Sequence, residues 1–266
     1  MPQKMEVNPF LRFFVQKFWA KLPGTIQARV SRFHSFLYET KISRHFIVPY
    51  ARLNYESAAE LNRFKPGSGS KHYQNFQDFF IRQFTQEPSV NSAQIWPCEG
   101  LLCESGHVNS DFLVSVKGER RHISAVFGPE FEVPHGSHFT NVFLHNSDYH
   151  RIHAPVSGQV DKIIRIPGDL QFLRPWLYNE SPTVPAMTNE RVNIQIGCGN
   201  GNVWLLSIVG GPGVATIKLV DQLQAGSKIT IGQELGFFMM GSTCCMVSPI
   251  APTAIVGVKV HVGMDF

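Results

Sequence analysis

"RVNIQIGCGNGNVWLLSIV", residues 191–209, decides the fold class. Two apolar, partly alternating runs flank a Gly/Asn cluster, the pattern of two antiparallel strands joined by a hairpin turn. Outward from it the texture repeats. From about residue 95 short apolar runs alternate with Gly, Pro and Asn turns. "VGVKVHV" (256–262) alternates strictly and predicts a strand with Val256, Val258, Val260 and Val262 on one face. Many short strands at this spacing predict a β-sandwich or barrel-like core.

The N-terminal third reads differently. "PFLRFFVQKFWAKL" (9–22) predicts an amphipathic helix, with Leu11, Phe14, Val15, Phe18 and Leu22 opposite Arg12, Lys17 and Lys21. Pro23-Gly24 ends it, and Thr25 is placed to cap a second helix. That helix carries Ile26, Val30, Phe33 and Leu37 on one stripe, beside Arg29 and Arg32. Such stripes serve two purposes: packing on a protein body, or lying in a membrane interface with the basic face outward. "KPGSGSKH" (65–72) is a turn. "NFQDFFIRQF" (75–84) predicts a short helix with Phe76, Phe79 and Phe80 inward and Arg82 outward. The expected class is α+β, with N-terminal amphipathic helices (residues 1–90) on a β-rich core (residues 91–266).

The 266 residues, 43% hydrophobic and 17% charged, supply a real core. Residues 1–54 hold nine Lys/Arg and two acids, a net +7, so with +4 overall the remainder is slightly acidic. A basic, Phe-rich front end suits an anionic partner. Five cysteines with no CxxC predict free thiols used as small core residues in a reducing compartment. No run of 18 apolar residues predicts a membrane span, and no secretory signal is readable. No glycine-rich phosphate loop and no basic-aromatic array beyond the first helices point to nucleotide or nucleic acid.

Three stretches could carry chemistry. "SDYHRIHAPVSG" (147–158) holds His150 and His153 after Asp148, without a third and fourth ligand at metal spacing. "WPCEGLLCESG" (96–106) places Glu99 in a Pro-x-Glu-Gly turn. "ELGFFMMGST" (234–243) ends a strand on Gly241-Ser242-Thr243. Taken singly, each is an ordinary turn or strand end.

Together they resemble the phosphatidylserine decarboxylase family. "FFIRQF", "DYHRIHAPVSG", "IPGDL", "NERV" and "ELGFFMMGST" follow the family's order and spacing over roughly residues 75–250. The resemblance implies a self-cleaving proenzyme. Ser242 attacks the carbonyl of Gly241, the amide becomes an ester, and elimination and hydrolysis leave a pyruvoyl group at residue 242. It implies His153 as the base for Ser242, with Glu99 as its acidic partner where the family carries aspartate. It implies phosphatidylserine as substrate, bound as a Schiff base to the pyruvoyl cofactor, with His150 protonating the carbanion or orienting the carboxylate. The implied partners are a phospholipid, an anionic membrane surface and the protein's own short chain (242–266), with no metal and no nucleic acid; a homodimer is compatible. The implied location is peripheral, on the cytoplasmic face of the inner membrane in a bacterium. Two alternatives stand beside this: a pyruvoyl-dependent decarboxylase of a soluble amino acid, suggested by the loose "SIVGGPGVATI" (207–217), and an uncleaved lipid-binding relative, suggested by Glu99.

Overall fold

The computed structural model describes residues 13, 18–55, 57–108, 113–116, 119–173, 184–211, 216–239 and 241–266. Most of the first predicted helix lies outside them. The described residues include fifteen strands, in chain order: β1 (Phe64–Lys65), β2 (Gln83–Phe84), β3 (Gly100–His107), β4 (Leu113–Val116), β5 (Glu119–His122), β6 (His138–Leu144), β7 (Arg151–His153), β8 (Gly158–Ile166), β9 (Arg191–Gly197), β10 (Val203–Gly210), β11 (Ile217–Leu219), β12 (Lys228–Ile229), β13 (Glu234–Phe238), β14 (Ser242–Ser248) and β15 (Lys259–Val260).

Eight of them form one antiparallel sheet in the order β12-β8-β9-β10-β14-β6-β3-β15. The hairpin of residues 191–209 lies at its middle as β9 and β10, closed by Cys198 N–H to Asn202 O at 2.8 Å and by Gly201 at φ +83°. Both faces of this sheet are buried. Along β10, Trp204, Leu206 and Ile208 enter one core, and Leu205 and Val209 enter the other. That explains why the strand reads as a continuous apolar run. A three-stranded sheet, β11-β13-β7, covers the first face with Ile152, Ile217, Leu235 and Phe238. Ile123, Val126, Phe127 and Phe131 cover the second. The arrangement is a mixed fold with a layered β core, and the described strands do not close into a barrel.

Among the helices, α1 (Gly24–Glu39) and α2 (Ile47–Asn54) precede α3 (Phe76–Phe80). Helix α1 turns its predicted apolar stripe outward. Ile26, Val30, Phe33 and Leu37 are exposed, whereas Gln27 and Ser31 are buried. Gln27 has a reason to be inside: its amide donates to the carbonyls of Trp19 and Leu22. Thr25 does not cap this helix. The carbonyl of Pro23 accepts from Ile26 and Gln27 instead, and the helix begins at Gly24.

Helix α3 buries Phe76, Phe79 and Phe80 as expected and is capped by Asn75, whose side chain accepts from Asp78 N–H. Arg82 is a correction: it is fully buried, not outward. Its guanidinium donates to the carbonyls of Phe79, Phe80, Ser147 and Asp148, so four backbone acceptors replace water. The C-terminal run also departs from expectation. Only Lys259–Val260 pair as a strand, on the sheet's edge beside β3, and Val256 and Val258 are exposed. Gly257, at φ +92°, turns the chain just ahead of that pairing.

Candidate active site

Ser242 opens β14, the strand inserted between β10 and β6. Its cross-strand partners are Gly210 and Leu144. All seven residues of β14 are buried, so Ser242 is held at the core's end rather than in a surface turn. Gly241 before it adopts φ +44°, left-handed backbone that disfavours a side chain. A second glycine presses against it: a Cβ on Gly211 would lie 2.9 Å from Gly241 Cα and 3.0 Å from its carbonyl oxygen. The Oγ of Ser242 is buried and has no hydrogen-bond partner.

The histidine stretch runs alongside. Strand β7 pairs with β13 so that His153 faces Glu234, and Phe238 N–H donates to His150 O at 2.9 Å. His150 therefore lies beside the residue four places before Ser242. His150 Nδ1–H donates to Asp148 O at 2.8 Å, which leaves Nε2 as the basic nitrogen. That Nε2 is buried without a partner. Burial, reinforced by the Arg82 guanidinium, holds the His150 pKa well below the ordinary histidine value. The ring is neutral at pH 7 and packs against Phe80, centroid to centroid 4.0 Å.

His153 shares the neutral state, its pKa lowered by burial. Its Nδ1–H donates to Gly232 O at 2.7 Å, and its Nε2 accepts from the Tyr149 hydroxyl at 3.0 Å. Its backbone N–H reaches Pro97 O at 2.8 Å, which ties the histidine stretch to the Pro-x-Glu-Gly turn.

Glu99, at the end of that turn, is 1% exposed and meets two cations and a histidine. Arg63 reaches its Oε1 at 2.7 Å, Lys259 lies 3.6 Å from the same oxygen, and His261 lies 3.4 Å from Oε2. Burial would raise its pKa, but His261, Arg63 and Lys259 outweigh that and bring it down to about 2. Lys259 also pairs with Asp148 at 2.7 Å. Among the described residues, Glu99 Oε1 accepts from Arg63, Oε2 is buried without a hydrogen-bond partner, and neither oxygen bonds His150 or His153. Sequence reasoning missed Arg63, Lys259, His261 and Tyr149. Only Tyr149, inside the Asp-Tyr-His motif, carried a local signal.

The arrangement can do acyl chemistry. A buried hydroxyl beside a glycine-lined backbone and two buried neutral imidazoles supply the groups for it, and no group of three His, Cys, Asp or Glu side chains among the described residues could hold a metal. The described helices include none long and apolar enough to cross a membrane.

Comparison with known proteins gives the class to which this layered β core belongs. The phosphatidylserine decarboxylase family matches residues 76–266. The chain belongs to the phosphatidylserine decarboxylase family. Similar proteins include the phosphatidylserine decarboxylase proenzyme of Polaromonas naphthalenivorans, 27% identical over 237 residues, covering 80% of this chain and 78% of that protein. The proenzyme of Verminephrobacter eiseniae is 27% identical over 203 residues, 68% of this chain and 71% of its own. That of Azoarcus sp. is 29% identical over 199 residues, 66% and 68%.

Proposed function

We propose that this protein decarboxylates phosphatidylserine to phosphatidylethanolamine, after cutting itself between Gly241 and Ser242 and converting Ser242 to a pyruvoyl group. The observation that carries the reading is a pair of buried, unpartnered atoms: Ser242 Oγ at the scissile peptide, and Nε2 of His150, whose backbone meets the chain at Phe238, four residues before it. Buried polar groups normally find partners, so two orphans in one region mark a place where partners arrive during a reaction.

In the cleavage step Ser242 Oγ bonds to the Gly241 carbonyl carbon. Its proton passes to a histidine, the Gly241 C–Ser242 N bond breaks, and the departing nitrogen takes a proton; β-elimination of the resulting ester then frees the Gly241 carboxylate, and water hydrolyses the dehydroalanine left at 242 to the pyruvoyl group with loss of ammonia. Serine needs such a base because its hydroxyl is a weak nucleophile. His153 fills that role in this reading, aligned by the Gly232 carbonyl and relinquished by Tyr149. The unpartnered Nε2 of His150 and its register beside Phe238 favour a second assignment, with His150 as the base. Glu99 acts on His150 through charge rather than by hydrogen bonding, and it anchors Arg63 and Lys259.

The residues present fit a pyruvoyl group at 242, since Gly211 and Gly241 bring no side chain against the scissile carbonyl. Once formed, that group supplies the electrophilic carbonyl and electron sink that amino-acid decarboxylation requires. The chain's own contribution is to exclude water around residue 242 and to keep a neutral imidazole, His150, ready to hold or deliver a proton at Nε2.

The exposed face of the N-terminal region supports a lipid substrate. Phe33 (63% exposed), Phe36, Ile42, Phe46 and Leu53 lie open to solvent in a segment that also carries Arg29, Arg32, Lys41, Arg44 and Arg52. Apolar groups interspersed with cations suit the interface of an anionic bilayer, so we place the protein there as a peripheral protein. The test is carbon dioxide release from phosphatidylserine vesicles. The wild-type protein should turn the lipid over and Ser242→Ala should not. Faster turnover of free serine or another soluble amino acid than of the lipid would overturn the substrate assignment.

A further inference from the structure

A second buried hydroxyl stands near Ser242 without a partner. Thr216 is 1% exposed, and its Oγ1 makes no hydrogen bond. The residue is not loosely placed. Its carbonyl accepts from Met239 N–H at 2.6 Å, which pins it to the chain just before Gly241-Ser242. It also leads directly into β11.

Its location follows from the sheet register. Gly210 is the direct partner of Ser242 on β10. Directly opposed residues of antiparallel strands project from the same face, with Cβ atoms about 5 Å apart. Gly210 has no side chain to project. The place where its Cβ would stand is taken by Thr216, whose Oγ1 would lie 2.7 Å from that atom. The Thr216 hydroxyl thus occupies the cross-strand position facing Ser242. The next residue, Gly211, is the one pressed against Gly241 Cα, C and O. Bare of side chains, the glycine pair admits the Thr216 hydroxyl beside Gly210 and the scissile carbonyl beside Gly211.

We propose that Thr216 donates a hydrogen bond to the oxyanion that forms when Ser242 attacks the Gly241 carbonyl; this rests on the reading of Ser242 as the nucleophile. In the precursor the planar Gly241 carbonyl does not take this donor; addition makes the carbon tetrahedral, shifts the oxygen and gives it the charge that a fixed donor stabilises. In the addition step the new Oγ–C bond pushes the carbonyl electron pair onto the Gly241 oxygen. In the collapse that pair re-forms the carbonyl, the C–N bond breaks, and the nitrogen is protonated. Thr216 gains and loses nothing overall. A donor aimed where charge develops accelerates such a step by about 100- to 1,000-fold.

The test follows cleavage of freshly synthesised full-length chain over time, by denaturing gel and mass. Thr216→Val should split about 100-fold more slowly than wild type. Its thermal midpoint should match or exceed that of the wild type, because the buried hydroxyl it loses had no partner. Thr216→Ser should cleave within about threefold of wild type, and Thr216→Ala should fall well below Thr216→Ser. The Ser/Ala pair differs by the hydroxyl alone, so its ratio stands even where valine disturbs packing. Cleavage of Thr216→Val at the wild-type rate, or equal rates for Ser and Ala, overturns the proposal. A wild-type chain that never splits overturns the Ser242 reading instead, before any variant is compared.

Discussion

His150 and His153 occupy the same short stretch, yet their environments differ at one atom. Each ring has Nδ1 fixed by a backbone carbonyl, and only His150 has an open Nε2. In our reading His153→Ala leaves the chain whole, whereas His150→Ala splits and then fails to decarboxylate. Intact mass and carbon dioxide release read the two steps separately; the reverse pattern would exchange the roles. The pH dependence has a definite sign. Both pKa values are lowered, so both rings stay neutral below the usual titration range of histidine near pH 6.5. Self-cleavage should therefore hold its rate from pH 7 to pH 6 and fall only in stronger acid. A rate that drops by half at pH 6.5 would mean a solvent-like histidine does the work. Stability follows the same linkage. Below about pH 6.5 the unfolded chain takes up protons that the buried rings refuse, so stability declines as pH falls.

At the scale of elements, α1 shows why an amphipathic pattern does not by itself say which face is buried. Its sequence predicts a stripe of Ile26, Val30, Phe33 and Leu37, and the stripe exists, but it faces outward. The inner face is built from Gln27 and Ser31, because Gln27 has the Trp19 and Leu22 carbonyls to satisfy. Trp19 is anchored in turn by its indole N–H to Leu170 O at 3.0 Å. We expect Phe33→Glu with Phe36→Glu to leave the melting temperature within a few degrees, since both rings are already in solvent. The pair should weaken sedimentation with anionic vesicles at least tenfold, because two apolar anchors become charges that a negative surface repels. Unchanged vesicle binding would assign the exposed stripe to some other purpose. Arg82 teaches the opposite lesson. A helix-end arginine reads as a surface residue, and its inward position was illegible because two of its acceptors, the carbonyls of Ser147 and Asp148, lie 65 and 66 residues away in sequence.

For the molecule as a whole, what was legible was local. The hairpin of residues 191–209, the Phe cluster of α3 and the motifs around His150, His153 and Ser242 all announce themselves within a few residues. What was hidden depends on chain crossings. Glu99 meets Arg63 and Lys259 from opposite ends of the sequence. Thr216 reaches its position because Gly210 vacates it. The same crossings bear on maturation. A cut after Gly241 leaves residues 242–266 with β14 wedged between β10 and β6, and with Lys259 paired to Glu99 and Asp148. The short chain should stay bound in native buffer and separate only in denaturant.

The central claim, that Ser242 converts this chain into a two-chain enzyme, is tested most directly by intact mass in denaturant after incubation of the 29.9 kDa precursor. The account predicts a long chain ending at Gly241 and a short chain of residues 242–266, the latter starting with a carbonyl that borohydride reduces and that Edman chemistry cannot enter. A single full-length chain with serine still at position 242, after prolonged incubation of folded protein, would contradict it.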